Sequence, residues 1–229
     1  MSKVLCVISG GMDSATLLHL ALSQDEQAEA VSFDYGQRHR KELEYAKELC
    51  DSLGVRHDVV DISAIRSHIG GSALTSDDID VPEGHYESDN MKLTVVPNRN
   101  AIMLSVAFGI AVARGAERVG AAMHAGDHAV YPDCRPAFVE AFNTMQGVAV
   151  EGHGHPGLHL WTPFIRKTKT EIAALGGTLQ VDYSLTWSCY KGLDLHCGVC
   201  GTCYERREAF RDSSVVDPTS YEKEPGHEG

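Results

Sequence analysis

Two runs of residues in this chain have types and spacings that do chemistry. The first is Ser9-Gly10-Gly11-Met12-Asp13-Ser14. Paired glycines let a backbone approach a phosphate closely, and N–H groups at a following helix start favour an anion there. Ser9 and Ser14 add hydroxyls. No Lys follows the glycines, so a Walker loop is absent, and so is the GxGxxG pattern of nicotinamide and flavin sites. The plain alternative is a tight strand-to-helix turn that uses glycine for geometry alone. The second run is Cys189-x7-Cys197-x2-Cys200-x2-Cys203. Four thiolates suit a closed tetrahedral zinc shell with no position left for catalysis. Iron–sulfur clusters use the same ligands at similar spacing, and buried free thiols are the metal-free alternative. The pattern is read as structural zinc, one per chain.

Other polar segments are less specific. In Tyr131-Pro132-Asp133-Cys134-Arg135-Pro136, Asp133 or Arg135 could serve a substrate or a metal ion, or the segment could only open a helix. Phe33 to His39 follows a strand, and Val96 to Asn100 could be a helix start with Asn98 as its cap. The histidines at 124, 128, 153, 155 and 159 sit in Gly- and Ala-rich segments, which favours solvated or locally hydrogen-bonded imidazoles over a second metal site.

The elements that must position these residues alternate in type. Val4 to Ile8 is a continuous apolar strand, Ala15 to Leu22 a helix, Ala30 to Phe33 a strand. Leu43 to Leu53 forms a helix stopped by Gly54, and Val59 to Ile62 a third strand. This alternation predicts an α/β fold with an open, mostly parallel sheet and helices on both faces. Ligands then gather at the carboxyl ends of the strands, where the glycine loop falls. Residues 66–97 lose periodicity, as functional loops or linkers do. Further on come a helix from Asn98 to Gly115, a strand from Arg118 to Met123, a helix from Pro136 to Met145, and a Thr168/Glu171 capping box opening a helix through Leu175. There is no internal repeat. The segment from Asp217 reads as a frayed end.

Composition narrows the classes. The chain has 229 residues, 43% hydrophobic and 23% charged, as a globular protein with a sizeable core requires. No run of 18 apolar residues suggests a membrane span, and the first residues are too short for a signal peptide. With 20 Lys+Arg against 32 Asp+Glu, a formal charge of −12 argues against a nucleic-acid partner. Seven cysteines, an odd number with four clustered and Cys6, Cys50 and Cys134 scattered, point to a reduced, cytoplasmic protein.

SGGMDS resembles the SGGxDS loop of the PP-loop ATP pyrophosphatase superfamily. With YGQRH at 35–39, PNRN at 97–100, YPDCR at 131–135 and SCYKG…HCGVCGTCYERREAF at 188–210, the whole set resembles the 7-cyano-7-deazaguanine synthase family. The match runs in order from the first strand to Phe210; only Gly152 to His159 finds no counterpart. The resemblance implies an ATP-dependent carbon–nitrogen ligase that turns 7-carboxy-7-deazaguanine and ammonia into the nitrile. It does so by adenylation, amide formation and a second adenylation with dehydration. It further implies ATP with Mg²⁺ on Ser9, Gly10, Gly11, Met12, Asp13, Ser14, Ala15, Thr16, Leu17, Leu18 and His19. Asp13, Arg38, Asp133 and Arg135 are the catalytic candidates, with Arg38 or Arg135 pairing the substrate carboxylate. The partners implied are small molecules and, at family level, a second copy in a homodimer. The division expected is an ATP-binding domain over 1–185, a zinc segment with a C-terminal helix over 186–216, and a flexible tail over 217–229. The rivals are a tRNA-modifying enzyme of the same superfamily, a thiolase or lysidine-type synthetase, and a non-catalytic nucleotide-binding zinc module.

Overall fold

The computed structural model describes residues 2–24, 27–76, 78–85 and 89–223. Its five strands are β1 Lys3–Val7, β2 Gln27–Asp34, β3 Arg56–Asp61, β4 Arg118–Gly120 and β5 His159–Trp161. They lie in the order β3-β2-β1-β4-β5, every pair parallel. The helices are α1 Met12–Ser23, α2 Lys41–Ser52, α3 Arg99–Arg114, α4 Pro136–Ala149, α5 Lys169–Thr178 and α6 Gly201–Ser213.

The sheet is covered on both sides, which is why β1 reads as an unbroken apolar run. Val4, Cys6 and Ile8 join one core with residues of α1, α2, α5 and α6, while Leu5 joins another with residues of α3 and α4. Strand order reverses between β1 and β4. In such sheets the crevice forms there, above the strands' carboxyl ends.

Short β5 carries too few residues for a period to show. Its Leu160 is buried, and the Asn143 side chain of α4 accepts a hydrogen bond from the Leu160 N–H at 2.7 Å, fixing the strand beside β4. The Thr168/Glu171 capping box is present in both directions, and its helix runs on to Thr178. Inside that helix, a Cβ on Gly176 would lie 1.7 Å from the Tyr183 hydroxyl, so the close packing of the two demands glycine. The stretch Met91–Arg114 is long and apolar enough by composition to cross a membrane. In the fold, its α3 portion buries Leu104, Ala107, Phe108 and Ala111.

Asn98 occupies the cap position of α3 without capping it: its φ is 58° and its side chain makes no cap bond. The work falls to Asp133, whose carboxylate accepts from the Asn100 N–H at 3.1 Å. The C-terminal segment also departs from expectation. Residues 217–223 are pinned rather than frayed. Asp217 pairs with buried Arg206 at 3.6 Å, the Arg206 Nε donates to Thr219 at 2.7 Å, and the Glu222 N–H donates to the His196 carbonyl at 2.8 Å. The rest of that expected tail, 224–229, lies outside the described residues. Helix α6 shares the main core through Ala209 and Phe210, so the C-terminal segment is welded to the sheet domain.

Candidate active site

The glycine loop leaves β1 at the reversal point. Gly10 holds φ +90°, and a Cβ there would stand 2.1 Å from the Glu42 carbonyl oxygen, so the loop and the start of α2 touch backbone to backbone. The Gly10 carbonyl accepts from the Trp187 N–H at 2.8 Å, tying the loop to the cysteine segment as well. Inside the loop, the Ser14 hydroxyl donates to the Gly11 carbonyl at 3.0 Å and accepts from the Ser9 N–H at 3.2 Å.

The loop floors a cleft of about 230 Å³. Ser9, Gly11, Met12, Asp13 and Ser14 line it; Ala15, Thr16, Leu17, Leu18 and His19 do not. Those five continue down α1, where Ala15, Leu17 and Leu18 are wholly buried in the core and Thr16 bonds the Tyr183 hydroxyl at 2.9 Å.

A charged network stands over the loop. Lys169 lies 3.2 Å from Asp13 and 2.6 Å from Glu205, and His124 lies 3.8 Å from Asp13 and 3.6 Å from Asp127. Burial pulls the Lys169 pKa down, but the Asp13 and Glu205 carboxylates outweigh it and hold the ammonium charged. Burial likewise raises Glu205, against the pull of Lys169. One Asp13 oxygen, Oδ1, is buried with no hydrogen-bond partner among the described residues. A buried carboxylate oxygen left unpaired is costly, and a cation or donor supplied by a ligand would satisfy it.

A second chamber of about 150 Å³ adjoins the cleft, and Ser9, Glu42, Arg99 and Tyr190 line both. Burial pushes the Glu42 carboxyl up to about 7, opposed by the nearby Arg99 guanidinium. The Arg99 guanidinium sits 5.6 Å from the centre of the Tyr35 ring. Parts of 66–97 pack against the site: Leu74 is buried, lines this chamber and accepts from the Arg38 N–H at 2.9 Å, while Gly84 donates to Val199 at 3.1 Å.

The catalytic candidates named from the sequence divide accordingly. Asp13 lies in the cleft, and Arg38 on the second chamber's exposed side, donating to the Ile79 carbonyl at 3.2 Å. Asp133 caps α3, and exposed Arg135 donates to the His128 carbonyl at 2.8 Å; neither lines the cleft or the chamber. Cys134 does line the cleft, but it is buried, accepts from the Asn100 amide at 3.1 Å, and burial raises its pKa, so it is no ready nucleophile. His124 is locally hydrogen-bonded, as expected, its Nδ1 accepting from the Gly126 N–H at 3.1 Å. Sequence reasoning missed Glu42, Arg99, Lys169 and His124 as site residues. Arg99 had a signal in PNRN, and Lys169 stood unnoticed inside the capping-box segment.

All four clustered cysteines are buried, with their sulfurs within 4.8 Å of one another. A tetrahedral zinc shell at about 2.3 Å per bond needs sulfurs about 3.8 Å apart; Cys197 and Cys203 stand at 4.0 Å, Cys200 and Cys203 at 3.5 Å. Backbone N–H groups of Lys191, Cys197 and Cys200 point at the sulfurs of Cys189 and Cys197 from 3.3 to 3.4 Å, as thiolate ligands require. The donor set fits a metal ion.

A parallel five-stranded sheet with SGGMDS at its reversal point is the architecture of the PP-loop class of α/β proteins, here with a four-cysteine site tied to the loop through Trp187. Within that class the chain belongs to the family of the queuosine biosynthesis protein QueC, whose model matches residues 3–214. It is 52% identical over 219 residues to the 7-cyano-7-deazaguanine synthase of Ruegeria pomeroyi, covering 96% of this chain and 94% of that one. It is 53% identical over 220 residues to the enzyme of that name from Brucella ovis, with the same coverage. In fold it is similar to the U34-tRNA thiolase NcsA from Methanococcus maripaludis, solved with its 4Fe–4S cluster, at TM-score 0.52, 15% identity, 94% of this chain and 74% of that one. NMN synthetase from Francisella tularensis gives TM-score 0.51 and 17% identity over 94% of this chain and 79% of that one.

Proposed function

We infer that this protein is an ATP-dependent ligase that converts 7-carboxy-7-deazaguanine and ammonia to 7-cyano-7-deazaguanine. The observation that carries the reading is the SGGMDS loop at the sheet's reversal point, facing a charged cleft, in a chain of this family. A carboxylate is a poor electrophile because its oxygen leaves badly and its charge repels nucleophiles. Adenylation turns that oxygen into the leaving group AMP, and ammonia gives the amide. A second adenylation, on the amide oxygen, permits elimination to the nitrile.

The chain's contribution is positioning and charge. Ser9, Gly10, Gly11 and Ser14 cradle the pyrophosphate of ATP at the start of α1. Asp13, with its unpaired Oδ1, is the ligand for the Mg²⁺ that travels with ATP. Lys169, neutralising Asp13 and Glu205 without ligand, is placed to turn to the phosphates. No cysteine nucleophile is needed, which agrees with four thiols committed to metal.

That metal is zinc, held by Cys189, Cys197, Cys200 and Cys203, and its part is structural, since four thiolates complete its shell. One zinc per chain by elemental analysis is the expected result; stoichiometric iron with a brown colour would refute it. The protein is assigned to the cytoplasm as a homodimer, which sedimentation tests.

The function is tested by incubating protein with 7-carboxy-7-deazaguanine, ATP, Mg²⁺ and ammonium. Nitrile with AMP is expected. ADP in place of AMP would sink the adenylation chemistry, and no nitrile would sink the assignment.

A further inference from the structure

The second chamber lies beside the phosphate cleft and shares four lining residues with it. An acceptor oxygen that attacks the α-phosphorus must lie where the two spaces meet, and that junction is defined by Ser9, Glu42, Arg99 and Tyr190. One cation and one acid stand there. A guanidinium matches a planar carboxylate. Away from the junction Tyr35 and Leu74 give flat or apolar wall suited to a planar heterocycle, beside the polar Gln37 and Arg38. His39 also lines the chamber, and its Nδ1 is buried without a partner among the described residues. Burial lowers the pKa of that imidazole and the Tyr190 backbone engages its other nitrogen, which leaves the lone pair on Nδ1, a buried atom in the chamber's wall.

We propose that this chamber is the acceptor-base pocket, with Arg99 holding the substrate carboxylate and Glu42 taking the proton that ammonia sheds. The proposal deepens the function inferred above and rests on it. In the step assigned to Glu42, the ammonia nitrogen's lone pair forms the C–N bond at the acyl-adenylate carbon. The C–O bond to phosphate breaks, its electron pair leaving on AMP, and one N–H proton passes to the Glu42 carboxylate. The neutral amide remains. A carboxyl raised to about 7 by burial is matched to that exchange at neutral pH. Glu42 belongs to the first turn of α2, whose backbone is locked against Gly10, so its side chain projects from a fixed point.

The test uses zinc-loaded full-length protein, 7-carboxy-7-deazaguanine, and Glu42→Gln, which keeps the shape and removes the base. Exchange of labelled pyrophosphate into ATP, dependent on the acid and run without ammonia, reads adenylation alone. It should stay within about threefold of the unsubstituted protein, while ammonia-dependent product falls by about 100-fold or more. Hydroxylamine, a nucleophile that needs no base, should restore trapping of the acyl-adenylate as the hydroxamate. Unchanged ammonia turnover, or loss of exchange and hydroxamate together with the amide, overturns the role of Glu42. The pocket is tested separately by Arg99→Met, which should raise KM for the acid about 10- to 100-fold and leave KM for ATP in place. An unchanged KM for the acid overturns the pocket, and this arm decides it even if Glu42→Gln fails to fold. Absence of nitrile from the unsubstituted protein would instead mark failure of the functional assignment.

Discussion

The cysteine cluster and the phosphate cleft are both built from buried polar groups, yet they are finished to different degrees. At the cluster every sulfur faces another sulfur or a backbone N–H, and the nearby chain is pinned by Arg206 and its partners. At the cleft, Asp13 keeps an oxygen unpaired, Lys169 is shared between two carboxylates, and the His39 imidazole keeps a buried nitrogen unpaired in the wall of the adjoining chamber. A site that only holds the fold together closes on its own ligands, here four sulfurs gathered for one metal ion, and leaves nothing for a substrate. A site that turns over substrate leaves polar atoms unpaired for the substrate, and carries that cost in the free protein.

The largest expected effect breaks the open side of that contrast. Asp13→Ala should lower turnover about 10³-fold or more with the fold intact by circular dichroism, since it removes charge where magnesium and phosphate meet. Retained activity would take Asp13 out of the site. The closed side breaks differently. Stripping the metal with a chelator, or Cys200→Ser, should open the segment around the cluster to protease and carry turnover down with it, because Trp187 ties that segment to Gly10. An intact segment after metal loss would mean the cysteines are ordinary core thiols.

Lys169→Met sits between these extremes. It should raise KM for ATP about 10- to 100-fold, and it leaves Asp13 and Glu205 facing each other without their shared cation. An unchanged KM would confine Lys169 to neutralising its neighbours. The smallest effect belongs to Asp133→Ala, which deletes the hydrogen bond to the start of α3 and should cost about 1 kcal/mol of stability in denaturant melts. A large loss of turnover without that loss of stability would return Asp133 to the chemistry.

Contiguity decided what was legible in the sequence. The glycine loop and the cysteine run announce themselves because their residues are neighbours in the chain, and the apolar run Val4–Ile8 with the helices after it was enough for the sheet. Strand β5 was not legible: three residues show no period, and it is a strand only because β4 and Asn143 hold it. Arg99 reads locally as part of a helix start and Glu42 carries no local signal at all, since only folding brings PNRN and α2 to the mouth of the glycine loop. The Asp133 cap, supplied across 33 residues, is equally invisible to a local reading.

Adenylation by the open cleft is the central claim, and counting nucleotides against product tests it most directly. In one reaction with 7-carboxy-7-deazaguanine, ammonium, ATP and Mg²⁺, two AMP and two pyrophosphate should appear for each nitrile formed. ADP and inorganic phosphate in their place, or nitrile formed without AMP, would contradict it.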